Sequence, residues 1–173
     1  ALKADALSLH YQPRISLRSG KVIGAEALLR WEDAGRDDML PGELVSLAEQ
    51  TGLITELGYW ILNQLCREVA ALDQQKAAPL RFSVNISLRQ FSEPDFVEVV
   101  KSILNTHKVN PARIEFELAE PDVLANFDDI ADDMRALNEF GVHFSVDDFG
   151  TGFSSLPQSV SYTHLTLPTS SRV

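Results

Sequence analysis

The chain has 173 residues, 45% of them hydrophobic, a net charge of −10 and a sequence pI near 4.8. That length and composition suit a single domain with a real core, while the acidic balance argues against nonspecific binding to long nucleic acids and still admits a small anionic ligand, since a bound metal reverses the local field. Cys66 is the only cysteine, which excludes a disulfide framework and a cysteine zinc cluster, and the lack of a visible signal peptide or an apolar run of spanning length points to a cytoplasmic setting.

Ala1 to Ser8 reads as a linker or the end of a preceding helix. Leu9 to Leu17 reads as a strand interrupted by Pro13, followed by a turn at Ser19-Gly20 and a second strand from about Lys21 to Arg30. The two-residue period of that second strand puts Glu26, Leu28 and Arg30 on one face and Ala25, Ala27 and Leu29 on the other. Trp31 to Leu40 is a charged loop. Pro41 opens a helix, where its missing N–H costs nothing, with Leu44, Leu47 and Ala48 as the buried stripe and Gly52 at the carboxyl cap. A longer helix carries Ile54, Leu57, Ile61, Leu65, Val69 and Leu72 at helical spacing, and Cys66 packs within it.

Leu80 to Ile86 alternates as a strand, apolar at Leu80, Phe82, Val84 and Ile86 and polar at Arg81, Ser83, Asn85 and Ser87. Pro94 starts another helix, with Phe96, Val99, Val100, Ile103 and Leu104 inward. Arg113 to Leu118 is the next strand, with Ile114, Phe116 and Leu118 opposite Arg113, Glu115 and Glu117. Ile130, Met134 and Leu137 mark a further helix capped by Gly141, and in the last strand Val142, Phe144 and Val146 alternate with His143, Ser145 and Asp147. That strand runs into Asp147-Asp148, after which Gly150 and Gly152 let the backbone turn. No internal repeat is visible.

Strands alternating with helices imply parallel βα units. Each strand has one apolar and one polar face, unlike the two-sided apolar strands of an open doubly wound sheet. The expected fold is therefore an α/β barrel of the TIM type, (β/α)8, of which about five strands with their helices are present. Chemistry in such barrels sits at the carboxyl ends of the strands, which selects Glu26 and Arg30, Asn85, Glu117, and Asp147 with Asp148. Taken alone, Asp147-Asp148 reads as an exposed acidic turn. Oxygen ligands aimed from four strands at one mouth instead suit a hard cation such as Mg²⁺. His10, His107 and His143 have no partner at metal-ligand spacing and read as packed or solvated.

Gly24-Ala25-Glu26-Ala27-Leu28-Leu29-Arg30-Trp31 resembles the signature of the EAL domain family. Four further stretches match that family in order and spacing: Tyr11-Gln12-Pro13, Pro41 to Leu53, Ser83-Val84-Asn85-Ile86-Ser87, and Asp147 to Leu156 with its tandem aspartates. The resemblance covers about residues 9 to 156 and implies a TIM-type barrel that hydrolyses cyclic di-GMP to linear pGpG with Mg²⁺ or Mn²⁺. By position, it makes Glu26, Asn85, Glu117 and Asp147 ligands of a first metal, and gives Asp147 and Asp148 a share in a second. Glu26, Asp147 and Asp148 would then be the catalytic carboxylates, since two cations polarise a phosphodiester and make hydroxide available near neutral pH. The same resemblance gives Arg30 a substrate phosphate, has Gln12 and Leu28 contact the guanine or backbone of the ligand, and has Glu120 steady the tandem-aspartate loop.

Plainer roles stand beside these. Arg30 can pair with an acid of the Trp31–Asp38 loop, Asn85 can satisfy backbone groups at a strand end, and Gln12 can be a surface residue. Where the family usually has threonine between its two glutamates and serine or threonine after them, this chain reads Glu117-Leu118-Ala119-Glu120-Pro121. Ala119 lacks a hydroxyl near the metals and Pro121 lacks a backbone donor, which bears on loop positioning.

The resemblance stops at Leu156. Residues 157–173 contain no acid and no lysine and are rich in Ser, Thr and Pro, as expected of a disordered or artefactual tail. The chain therefore reads as residues 1–8 of linker, a partial EAL domain over 9–156, and a tail. The parent domain would be a two-metal phosphodiesterase; this part of it would be inactive, because family members carry a lysine and another glutamate beyond this point, and poorly soluble or partly folded, because about five strands leave an eight-stranded barrel with an open edge and exposed apolar surface. The rival is a degenerate EAL domain acting as a cyclic di-GMP-binding or protein-interaction module; an unrelated metal-dependent barrel hydrolase is a third reading. The resemblance also allows a homodimer and fusion to sensory or diguanylate cyclase domains.

Overall fold

The computed structural model describes residues 6–31, 41–75 and 79–147, with the side chains of all but 41–43, 120–122, 124–125, 127 and 147. The period-two segments become strands β1 (Leu7–Ile15), β2 (Val22–Trp31), β3 (Arg81–Asn85), β4 (Ile114–Ala119) and β5 (His143–Asp147). They form one sheet in chain order, with β2 to β5 parallel and β1 antiparallel to β2. The antiparallel start departs from a uniform run of parallel βα units. Its cause is the short Ser16–Lys21 connection, closed by the Ser16 N–H to Lys21 carbonyl bond at 2.9 Å; a parallel pairing needs a crossover of a dozen or more residues. β1 begins at Leu7, inside the segment expected to be linker, because Leu7 is buried with Leu29, Leu44 and Leu57.

The helices are α1 (Pro41–Thr51), α2 (Ile54–Gln74), α3 (Leu88–Phe91), α4 (Phe96–His107) and α5 (Glu120–Phe140). They cover the apolar rows of the strands. Ala25, Ala27, Phe82, Val84, Ile114, Phe116 and Phe144 are buried against Leu62, Leu65, Cys66 and Val69 of α2, Val100 and Leu104 of α4, and Met134 and Leu137 of α5. At the centre Phe116 lies edge-on to Phe144, with ring centroids 5.8 Å apart, and 6.4 Å from Phe96. Burial lifts the Cys66 thiol to about 12, so it packs as an apolar group and stays unreactive.

Two expectations fail for local reasons. Leu47 is 43% exposed and outside the buried stripe of α1, which consists of Leu44 and Ala48 among the described side chains. Arg113 does not share the polar row of β4. It ends a 3-10 turn over Pro111–Arg113, where its guanidinium donates to the Leu80 carbonyl and pairs with Asp73 of α2.

α5 starts ten residues before Ile130, at Glu120, with a non-helical Asn126 at φ −132° inside it. Pro121 lies in its first turn, where backbone N–H groups have no intrahelical acceptor, so the missing donor costs the helix nothing. Gly141 ends the helix at φ 113°, a left-handed conformation that a side chain resists.

The sheet curls with its polar face inward. Arg14 of β1 reaches Glu115 of β4 at 2.6 Å, although three inter-strand steps of about 4.8 Å each separate those strands along a flat sheet. The described chain is thus the five-stranded arc of a TIM-type barrel, helices outside and polar rows within.

Candidate functional site

On the inner face the strand registers stack polar side chains in tiers. One tier aligns Gln12, Glu26, Ser83, Glu115 and His143 across β1 to β5. The next, two residues toward the carboxyl ends of the parallel strands, aligns Asn85, Glu117 and Ser145. Because side chains alternate along a strand, these tiers share the face opposite the helices.

Three of the expected ligands come together here. Glu26 is 6% exposed and Glu117 4% exposed. Asn85 stands between their strands, donating from Nδ2 to Glu26 Oε1 at 3.2 Å while in register with Glu117. Asp147 closes β5 in register with Ala119, continuing the row of His143 and Ser145 in the backbone. Glu120 is the first residue of α5, and Asp148 lies outside the described residues.

Among the described residues no group of three His, Cys, Asp or Glu side chains is close enough to hold a metal. What they provide is two buried carboxylates and a carboxamide, the hard oxygen donors that Mg²⁺ and Mn²⁺ prefer. Ser83 Oγ is buried one tier below, without a hydrogen-bond partner among the described residues. The donor chemistry fits a hard cation.

The expected substrate contacts lie along the hairpin. Gln12 is exposed and faces Glu26, Leu28 is half-buried and faces His10, and Arg30 is half-buried and faces Ser8. The Arg30 guanidinium donates from Nη1 to its neighbour's carbonyl, Leu29 O, at 2.9 Å. The loop acids expected as its alternative partners lie in 32–40, outside the described residues.

A second cluster underlies the ligands and was not read from the sequence. Arg14 Nη1 contacts Glu115 Oε1 at 2.6 Å and Glu117 Oε1 at 3.2 Å. Arg81 donates to the other oxygen of Glu115 at 3.3 Å, and Ser145 Oγ donates to Glu115 Oε1 at 3.2 Å. Burial by itself would raise the Glu115 carboxyl, but the hydrogen bond and charge of Arg14, with Ser145 and Arg81, hold it below the usual carboxylate range. His143 meets Arg81 at 3.2 Å; burial, then the Arg81 charge, push its imidazole down against the pull of Glu115. The available signal was parity: Arg14 is two residues from Gln12, and Glu115 two from Glu117, so each shares a row with an expected site residue.

Comparison with known proteins agrees with this arrangement. The family model for the EAL domain matches residues 1–164. Signaling protein YkoW of Bacillus subtilis is 38% identical over 156 residues, covering 90% of this chain and 19% of the relative. The bifunctional diguanylate cyclase/cyclic di-GMP phosphodiesterase MucR of Pseudomonas aeruginosa is 38% identical over 156 residues, covering 90% of this chain and 23% of that protein. The chain thus spans about a fifth of the length of these relatives. A solved structure of the MucR phosphodiesterase in complex with c-di-GMP superposes with a TM-score of 0.83 at 37% identity, covering 90% of this chain and 63% of that one. With the signature residues on β2, the amide on β3, the glutamate on β4 and the family match over most of its length, the chain belongs to the EAL domain family.

Proposed function

We propose that this chain carries the metal-binding half of a cyclic di-GMP phosphodiesterase site, with Glu26, Asn85 and Glu117 as ligands and Asp147 and Asp148 completing the set. The observation that supports this most is the meeting of Glu26, Asn85 and Glu117 on adjacent strands. A bound Mg²⁺ or Mn²⁺ pair would supply Lewis acidity and a hydroxide near neutral pH. The protein's part is positioning: Glu26 and Glu117 present carboxylate oxygens from buried stems, and Asn85 orients Glu26 through its amide N–H. Arg30 would hold a substrate phosphate, and Gln12 and Leu28 would line the bound nucleotide.

Cyclic di-GMP turnover to pGpG with Mg²⁺ or Mn²⁺ tests this reading. In Glu26→Gln, Mn²⁺ affinity should fall by more than about 100-fold, since even the outer partners of a ligand are worth about 10- to 100-fold. Unchanged metal binding and turnover in that variant would refute the assignment.

A second reading, a cyclic di-GMP-binding module without turnover, is favoured by one observation. Ala119 stands at the tip of β4 where the family usually has threonine. On that reading cyclic di-GMP binds equally with and without divalent metal.

A further inference from the structure

The Arg14 guanidinium occupies the ground between the two glutamates of β4. It starts on β1 opposite Gly24, which places no side chain beside it on the inner face. A single nitrogen, Nη1, serves both carboxylates, at 2.6 Å to Glu115 and 3.2 Å to Glu117. The two contacts are unequal. Glu115 is held at both oxygens, by Arg81 on one and by Arg14 and Ser145 on the other, so it is a fixed anchor. Glu117 takes the longer Arg14 contact, at its Oε1. A shorter charge-assisted bond is the stronger, so Arg14 can stay on Glu115 when Glu117 turns to another cation.

We propose that Arg14 is a positioning residue that clamps Glu117 to Glu115 and competes with a divalent cation for Glu117 Oε1. This rests on the reading of Glu117 as a metal ligand. Arg14 is anchored through Glu115, aligns the Glu117 carboxylate for the mouth, and weakens metal binding because the metal must displace its longer contact. Removing the guanidinium removes the competitor and leaves both carboxylates in place.

The test is Mn²⁺ titration, by calorimetry and by loss of the free-ion paramagnetic resonance signal, on the wild-type chain, Arg14→Met and Arg14→Lys. Arg14→Met should bind Mn²⁺ about tenfold more tightly, the scale of one hydrogen bond to a charged group. Arg14→Lys, which keeps the charge but shortens the reach over β2 and β3, should fall between Arg14→Met and wild type. The ratios should persist at about 0.5 M salt, where the field of a distant charge is screened and a contact is not.

Circular dichroism identifies a variant that fails to fold. If Arg14→Met does so, Arg14→Lys against wild type carries the comparison. Equal or weaker Mn²⁺ binding in the folded variants overturns the clamp, as does a gain that vanishes at high salt. Absence of Mn²⁺ binding in the wild type overturns the ligand reading itself, and cyclic di-GMP binding measured in the same samples separates that failure from a misfolded chain.

Discussion

Ala119 shows how one atom group at the site reports on both stability and chemistry. It is the amino-terminal cap of α5 and offers no side-chain acceptor to the first turn. Ala119→Thr should therefore stabilise the chain by about 1 kcal/mol in urea unfolding, and it should raise turnover wherever turnover is measurable; no gain in either counts against the cap. At the same scale the native state holds His143 and Glu115 with fewer protons than the unfolded chain, because both are pushed down. Stability rises with pH wherever the unfolded state binds more protons. The fold should thus lose stability as pH falls below 6.5, the ordinary value for His143, and again below 4.5, that for Glu115. His143→Gln should flatten the upper step in a thermal unfolding series across pH. Single residues were partly legible: the parity of Glu26, Asn85 and Glu117 announced a shared face. The bridging of Arg14 to Glu115 did not show, because it depends on sheet curvature, which strand periodicity does not encode.

The strands and long helices followed from periodicity because each has one face against the core. Where an element draws on something else, the sequence was less telling. α3 is a single turn whose local support is the Ser87 N–H to Gln90 Oε1 bond at 3.2 Å, too short a segment for a periodic signal. The start of α5 went unread although buried Val123 lies seven residues before Ile130, at helical spacing, because Pro121 and the non-helical Asn126 interrupt the signal. Leu47 misled because an amphipathic stripe is wider in sequence than the face α1 buries. The glycine at the end of α5 was legible, and it makes a firm prediction. Gly141→Ala should destabilise by more than about 1 kcal/mol in urea unfolding, since the residue sits at φ 113° and a Cβ would lie 3.2 Å from Pro111 Cβ.

Over the whole molecule, the helix-side core holds the arc and the inner face carries the chemistry, so the two can be perturbed apart. Phe116 is fully buried between Phe96 and Phe144, and Phe116→Ala should cost about 3–5 kcal/mol, seen as a lowered unfolding midpoint. Glu26→Gln should leave that midpoint close to wild type and lose metal. The most direct test of the metal-dependent site is calorimetric titration of cyclic di-GMP into wild type and Glu26→Gln, each with Mn²⁺ and with chelator. The expected result is binding by the wild type that Mn²⁺ strengthens, and loss of the Mn²⁺-dependent part in Glu26→Gln. Equal binding by both proteins, indifferent to Mn²⁺, would contradict it.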